Sequence, residues 1–202
     1  MRNLAAALVA IVCWIGLGIQ FGHTYGFEHT APLTLWVLLR FFTVLTNLLL
    51  ALAMTWVAIG RRAAPELLGG VTLSVILVGV VYWALLQNLH HPDGLAHVAN
   101  ILLHRVSPVA MTLWWLLFAP RGRLRWSAPW LWTVYPVAYF VFILARGRLD
   151  GRYPYPFIDV THLGWLQVAL NAAGIALAFM LAGYGMVWID RWRPLGSKRA
   201  NG

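Results

Sequence analysis

The chain has 202 residues, 61% of them hydrophobic and only 10% charged, with a mean hydropathy of +0.72. That composition belongs to polytopic membrane proteins, and no segment polar enough for a water-soluble domain remains once the apolar runs are set aside. A net charge of +9 would suggest nucleic acid in a soluble protein. Here the basic residues stand in short segments between apolar runs, so no nucleic-acid partner is expected and the charge is read as topology. The single cysteine, Cys13, excludes an intrachain disulfide and a multi-cysteine metal site.

Six apolar runs are expected to form one all-α transmembrane domain over 1–202, each near the roughly 20 residues that cross a bilayer at about 1.5 Å per residue. The first covers 4–20, and without a small-residue cleavage site after it, it reads as a retained helix. The second covers 32–59 and opens on Pro32, a residue suited to a helix start. Arg61, Arg62 and Pro65 make a turn before the third, 66–88. The turn His90-His91-Pro92-Asp93-Gly94 leads to the fourth, 95–118, which Arg121-Gly122-Arg123-Leu124-Arg125 closes. The fifth, 129–145, carries Pro136, where a kink is expected unless neighbours re-satisfy the freed carbonyl. A polar loop over 146–161 precedes the sixth, 162–189, and a basic tail is expected to fray.

Lysine and arginine set the orientation. One side receives Arg2, Arg61, Arg62, Arg121, Arg123, Arg125, Arg191, Arg193, Lys198 and Arg199, and the other only Arg146, Arg148 and Arg152. The positive-inside rule then puts both termini in the cytoplasm and the protein in the cytoplasmic (inner) membrane.

Two polar stripes fall within the spans. Arg40, Thr43 and Asn47 lie at i, i+3, i+7, one face of a helix, and His97, Asn100, His104 and Ser107 form a second such face. Counted from Pro32 and Leu95 at about 1.5 Å per residue, Thr43 and His104 come to about 16 and 13 Å along their helices, a matching depth in the outer half. An arginine within a span is costly and points to a functional site. A threonine hydroxyl needs a base within hydrogen-bond reach before it can attack, and a neutral imidazole can take its proton. Arg40 or Asn47 would then donate to an oxyanion or hold the substrate. The alternative is structural: threonine bonds its own i−4 carbonyl, while asparagine and histidine tie helices together. Arg105 points to another face, towards a carboxylate or a lipid head group. Asp159 either orients His104, pairs with Arg40, or caps a helix. Gln167 and Asn171 are further polar candidates on the sixth span. Pro108 either kinks the fourth helix and frees a carbonyl or is plain helix geometry. His90 and His91 beside Asp93 are either metal ligands or exposed loop residues, and no metal site is expected.

The segments Arg40-Phe41-Phe42-Thr43-Val44-Leu45-Thr46-Asn47, His104 with Pro108, and Tyr153-Pro154-Tyr155-Pro156-Phe157-Ile158-Asp159 come in an order that resembles the androgen-induced, ADTRP-like membrane proteins, closest to their bacterial six-helix relatives. The likeness covers nearly the whole chain, and the Tyr-Pro-Phe loop is its most specific part. Vertebrate members are intramembrane threonine hydrolases that cleave fatty acid esters of hydroxy fatty acids, so the resemblance implies Thr43 as nucleophile and His104 as its partner. Two departures stand out: Thr46-Asn47 replaces an acidic residue after the vertebrate threonine, and the His-to-Pro spacing is shorter.

The expected function is therefore hydrolysis of a membrane lipid ester of the fatty-acyl class, without cofactor, by Thr43 and His104. Arg40, Asn47, Asn100 and Asp159 would bind substrate or stabilise charge. Two rivals use the same features: a non-enzymatic protein that binds or transports a lipid or small anion, and a haem or metal protein built on the outer histidines. The sequence leaves the oligomeric state open.

Overall fold

The computed structural model describes residues 1–89 and 92–192, so His90, His91 and the basic tail, with Arg193, Lys198 and Arg199, lie outside the described residues. All regular structure among the described residues is helical. Five helices are long and apolar enough to cross a membrane, and a sixth crossing results if one bent pair counts as a single span. The chain divides into two compact units, Met1–Ala119 and Pro120–Gly202.

In the first unit, α1 (Arg2–Glu28) ends where His29 turns left-handed at φ 58° and returns its N–H to the Tyr25 carbonyl. One face of α1 carries Ala6, Val9, Ala10, Cys13 and Gly16, all buried. Small side chains of this kind let helices approach closely where lipid gives no hydrophobic drive for association. At Gly16 the approach is tightest, since a Cβ there would come within 2.7 Å of Leu103 Cδ2. This face packs against α3 (Phe42–Ala58) and α5 (Gly94–Ile101), while α4 (Pro65–Val81) packs against α3 and α6 (Ser107–Phe118).

Two local departures from the α-helix shape the interior. The continuous span expected over 32–59 is instead α2 (Ala31–Leu38) and α3, bent by 102° across a break at 39–41. Neither Gly nor Pro stands in that break. Phe41 is extended at φ −93°, ψ 124°, and its carbonyl opens the next helix by accepting from Val44 and Leu45. Two adjacent phenylalanines are indifferent helix formers, so tertiary packing is free to break the chain here. The second departure is a pair of π-helical turns, Tyr82–Leu86 after α4 and Leu102–Val106 between α5 and α6. The latter has a covalent cause. Pro108 has no N–H for the carbonyl of His104 four residues earlier, and its ring would collide with it in a regular helix. The widened turn relieves this. Gly79 makes room, because a Cβ there would stand 3.1 Å from Pro108 Cβ and 3.5 Å from the His104 carbonyl oxygen.

The second unit pairs α7 (Ala128–Asp150) with α8 (Val160–Trp192). Pro136 lies inside α7 without ending it, and the helix closes at Gly151 in the left-handed region, φ 67°. Gly147 packs against the Tyr153 ring so closely that a Cβ would collide with it. The helix α8 is interrupted at Gly164, whose φ of 73° and ψ of 164° are not helical.

Candidate active site

The break between α2 and α3 changes what Thr43 is. It stands in the first turn of α3 and not midway along a helix begun at Pro32, so a depth counted from Pro32 does not apply. Arg40 lies in the break and off the helical stripe, leaving Thr43 and Asn47, one turn apart, as the polar face of α3. Arg40 is buried, at 8% exposure. Helical spacing from Arg40 to Asn47 holds in the sequence, but spacing alone cannot show that the helix begins only after Arg40.

Thr43 meets His104 as the two stripes suggested. The Thr43 Oγ1 lies 3.2 Å from His104 Nε2. The other ring nitrogen, Nδ1, lies 3.1 Å from the Asn100 carbonyl oxygen. A carbonyl only accepts, so Nδ1 carries the hydrogen and, in a neutral ring, Nε2 is the bare nitrogen. The threonine hydroxyl therefore donates to Nε2, the direction in which a nucleophile gives its proton to a base. The 3.2 Å separation is at the outer end of the range for such a pair. Thr43 is buried at 7% exposure, and its backbone N–H, in the first turn, has no acceptor among the described residues. A helix N-terminus with unbonded N–H groups favours negative charge beside it.

Asn47 holds this arrangement together. Its Nδ2 donates to the Thr43 carbonyl at 2.9 Å and to the Leu103 carbonyl at 3.1 Å, while Oδ1 accepts from Ser107 Oγ at 2.6 Å. The Leu103 carbonyl belongs to the π-turn and also receives Ser107 Oγ at 3.1 Å. Both amide hydrogens of Asn47 thus have carbonyl acceptors, which leaves none to stabilise an oxyanion. Its position on the stripe was legible, whereas its partners were not.

Asn100 and Tyr82 complete the site. The Asn100 Nδ2 donates to the Tyr82 hydroxyl at 2.6 Å, and the Tyr82 ring stacks on His104 with centroids 4.3 Å apart and planes at 28°. The Arg105 guanidinium stands 5.8 Å from the centre of the same Tyr82 ring. A cavity of about 330 Å³ opens beside them, lined by Tyr82, Asn100, Arg105, His97, Gln87, Pro92, Asp93 and Gly94. Tyr82 escaped the sequence reading because one polar-tipped aromatic in an apolar span carries no periodic signal.

Asp159 belongs to the second unit, where it caps α8. Its Oδ1 accepts from Thr161 N at 2.9 Å, Thr161 Oγ1 at 2.5 Å and His162 N at 3.4 Å, and Oδ2 lies 2.7 Å from His162 Nδ1. Desolvation pushes this carboxyl up, but the bonds from Thr161 and His162 outweigh it and hold the group below its ordinary value. Gln167 Nε2 donates to Asn171 Oδ1 at 2.9 Å, and Asn171 Nδ2 to the Phe157 carbonyl at 2.9 Å, fastening the Tyr-Pro-Phe loop to α8. No three His, Cys, Asp or Glu side chains among the described residues converge as metal ligands would.

No protein family, curated protein or solved structure matches this chain.

Proposed function

We propose that the protein is an intramembrane hydrolase of lipid esters of the fatty-acyl class, with Thr43 as nucleophile and His104 as general base. The observation that carries this reading is the Thr43 Oγ1 to His104 Nε2 contact of 3.2 Å, made by a ring whose Nδ1 hydrogen is already committed to a carbonyl. Nucleophile, base and a group orienting the base form the arrangement that activates serine and threonine in hydrolases on unrelated folds. The first-turn N–H of Thr43 supplies one donor for the developing oxyanion. The resemblance to the ADTRP-like hydrolases assigns the same two residues the same roles. The lysine and arginine distribution supports cytoplasmic termini in an inner membrane, which puts the start of α5 at Gly94 on the outer side.

A fluorophosphonate probe tests the assignment. Wild-type protein in detergent micelles is expected to be labelled at Thr43, with Thr43→Ala and His104→Ala both reduced to background. Labelling of Thr43→Ala equal to wild type would remove the nucleophile.

One observation favours a second reading, a binding or transport protein for a lipid or small anion. The described cavity is lined by Arg105 and His97, and neither Thr43 nor His104 lies on its wall. Intact lipid co-purifying with the protein, together with no turnover across a panel of esters, would decide for binding. The haem reading has less support, since both ring nitrogens of His104 are engaged in hydrogen bonds.

A further inference from the structure

Asn100 acts at two places. Its carbonyl holds the Nδ1 hydrogen of His104, and its side-chain N–H donates to the Tyr82 hydroxyl at 2.6 Å. The tyrosine oxygen thus accepts from Asn100, and its own hydrogen is directed elsewhere. Tyr82 is only 7% exposed, yet no acceptor for that hydrogen occurs among the described residues. A buried phenol ordinarily finds one. The same side chain lines the 330 Å³ cavity and stacks on the imidazole of the base. Beside the Thr43 N–H, a second donor is what the site otherwise lacks, because the Asn47 amide is committed to two carbonyls.

We propose that Tyr82 is a catalytic residue whose hydroxyl, at the wall of this chamber, donates to the carbonyl oxygen of an ester that enters through it and reaches past the His104 ring to Thr43. The role rests on the hydrolase reading above. As Thr43 Oγ bonds to the carbonyl carbon, its proton passes to His104 Nε2 and the carbonyl π pair moves onto oxygen, where the Tyr82 O–H meets it. When the tetrahedral intermediate collapses, the C=O re-forms and the bond to the leaving alcohol breaks. The alcohol takes the proton from His104, and a water molecule then releases the acyl group by the same sequence. Asn100 is a positioning residue, fixing the tautomer of the base with its backbone and the phenol with its side chain.

The test is steady-state hydrolysis of p-nitrophenyl octanoate by the full-length protein in detergent micelles. Tyr82→Phe keeps the ring stacked on His104 and removes only the hydroxyl, so kcat should fall about 100-fold or more with KM little changed, as for loss of one oxyanion donor. Asn100→Asp keeps the backbone carbonyl on His104 but offers Tyr82 a carboxylate that can only accept. It should capture the phenol proton and produce a matching loss. Thr43-dependent turnover that Tyr82→Phe leaves within about threefold of wild type overturns the Tyr82 role and spares the hydrolase. Turnover that is absent, or that survives Thr43→Ala, overturns both. Where Tyr82→Phe elutes as aggregate on gel filtration, Asn100→Asp decides: an unchanged kcat overturns the role, and the matching loss supports it.

Discussion

Polar side chains in the two units are used differently. In the first, they bond across helices distant in sequence: Thr43 to His104, Asn47 to Leu103 and Ser107, Trp14 to Thr55 at 3.1 Å, and Asn100 to Tyr82. In the second, they bond mostly along their own helix or its adjoining loop. Asp159 serves the first turn of α8, Arg146 meets Asp150 at 3.5 Å one turn on, and Gln167 meets Asn171 one turn on. Exceptions are Asp190, which reaches back to accept from Leu124 N at 3.0 Å, Arg191, which donates to the Leu124 carbonyl at 3.2 Å, and Thr133, whose hydroxyl lies 3.0 Å from Met180 Sδ on α8. The most apolar windows of Arg2–Glu28, Pro65–Leu86 and Gly94–Phe118 are 28%, 50% and 33% buried, against 22% for Ala128–Asp150 and for Val160–Trp192. The first unit therefore has an interior in which a polar group must find a protein partner, and those partners hold one another at fixed distances. A site that needs a hydroxyl and an imidazole in register is better built there than along a single helix.

The comparison can be broken most severely at the base. On the hydrolase reading, His104→Gln should lower kcat for p-nitrophenyl octanoate by about 10²–10⁴-fold, the usual range for loss of a general base. Its unfolding midpoint in detergent should move much less than its rate.

Asn47→Leu is the next largest test and reads stability. It leaves the Leu103 carbonyl with Ser107 alone and the Ser107 hydroxyl without its Oδ1 acceptor, at a cost of about 1–3 kcal/mol. Denaturant titration in detergent measures it. A double-mutant cycle with Ser107→Ala should show coupling, since the two side chains share a bond and an acceptor. A strictly additive pair would mean that the pins of the first unit act independently. Asn171→Ala is the counterpart in the second unit and, removing a half-buried bond from α8 to its adjoining loop, should cost only about 0.6 kcal/mol. A larger loss for Asn171→Ala than for Asn47→Leu would reverse the contrast between the units.

The smallest effect is one of pH. The Asp159 carboxyl titrates below its ordinary value in the folded chain, so the stability it lends to the start of α8 is fully present above the unfolded value, about 3.9. It is lost as pH falls through the lower, folded value. Acid titration of wild type should thus show a shallow loss of stability that Asp159→Asn lacks, with little change near neutrality.

Residue types and their spacing were enough for the helical class, the apolar runs and the two polar stripes that carry Thr43 and His104. Hydrophobic length is a local property, and a polar residue inside an apolar run is conspicuous by itself, so Thr43, Asn47, Asn100 and His104 stood out without any knowledge of their neighbours. What they do to one another was a matter for the folded chain. The 102° bend that makes Thr43 a first-turn residue falls where no Gly or Pro announces it. The recruitment of Tyr82 depends on two π-turns brought face to face, one of them forced by Pro108 and admitted by Gly79 from another helix. Asn47 changed from an expected donor for substrate into a clamp on two carbonyls because acceptors 4 and 56 residues away arrive at its amide together. Periodicity reports which face of a helix is polar; only packing decides what that face meets, because a hydrogen bond is satisfied by whichever group is nearest in space.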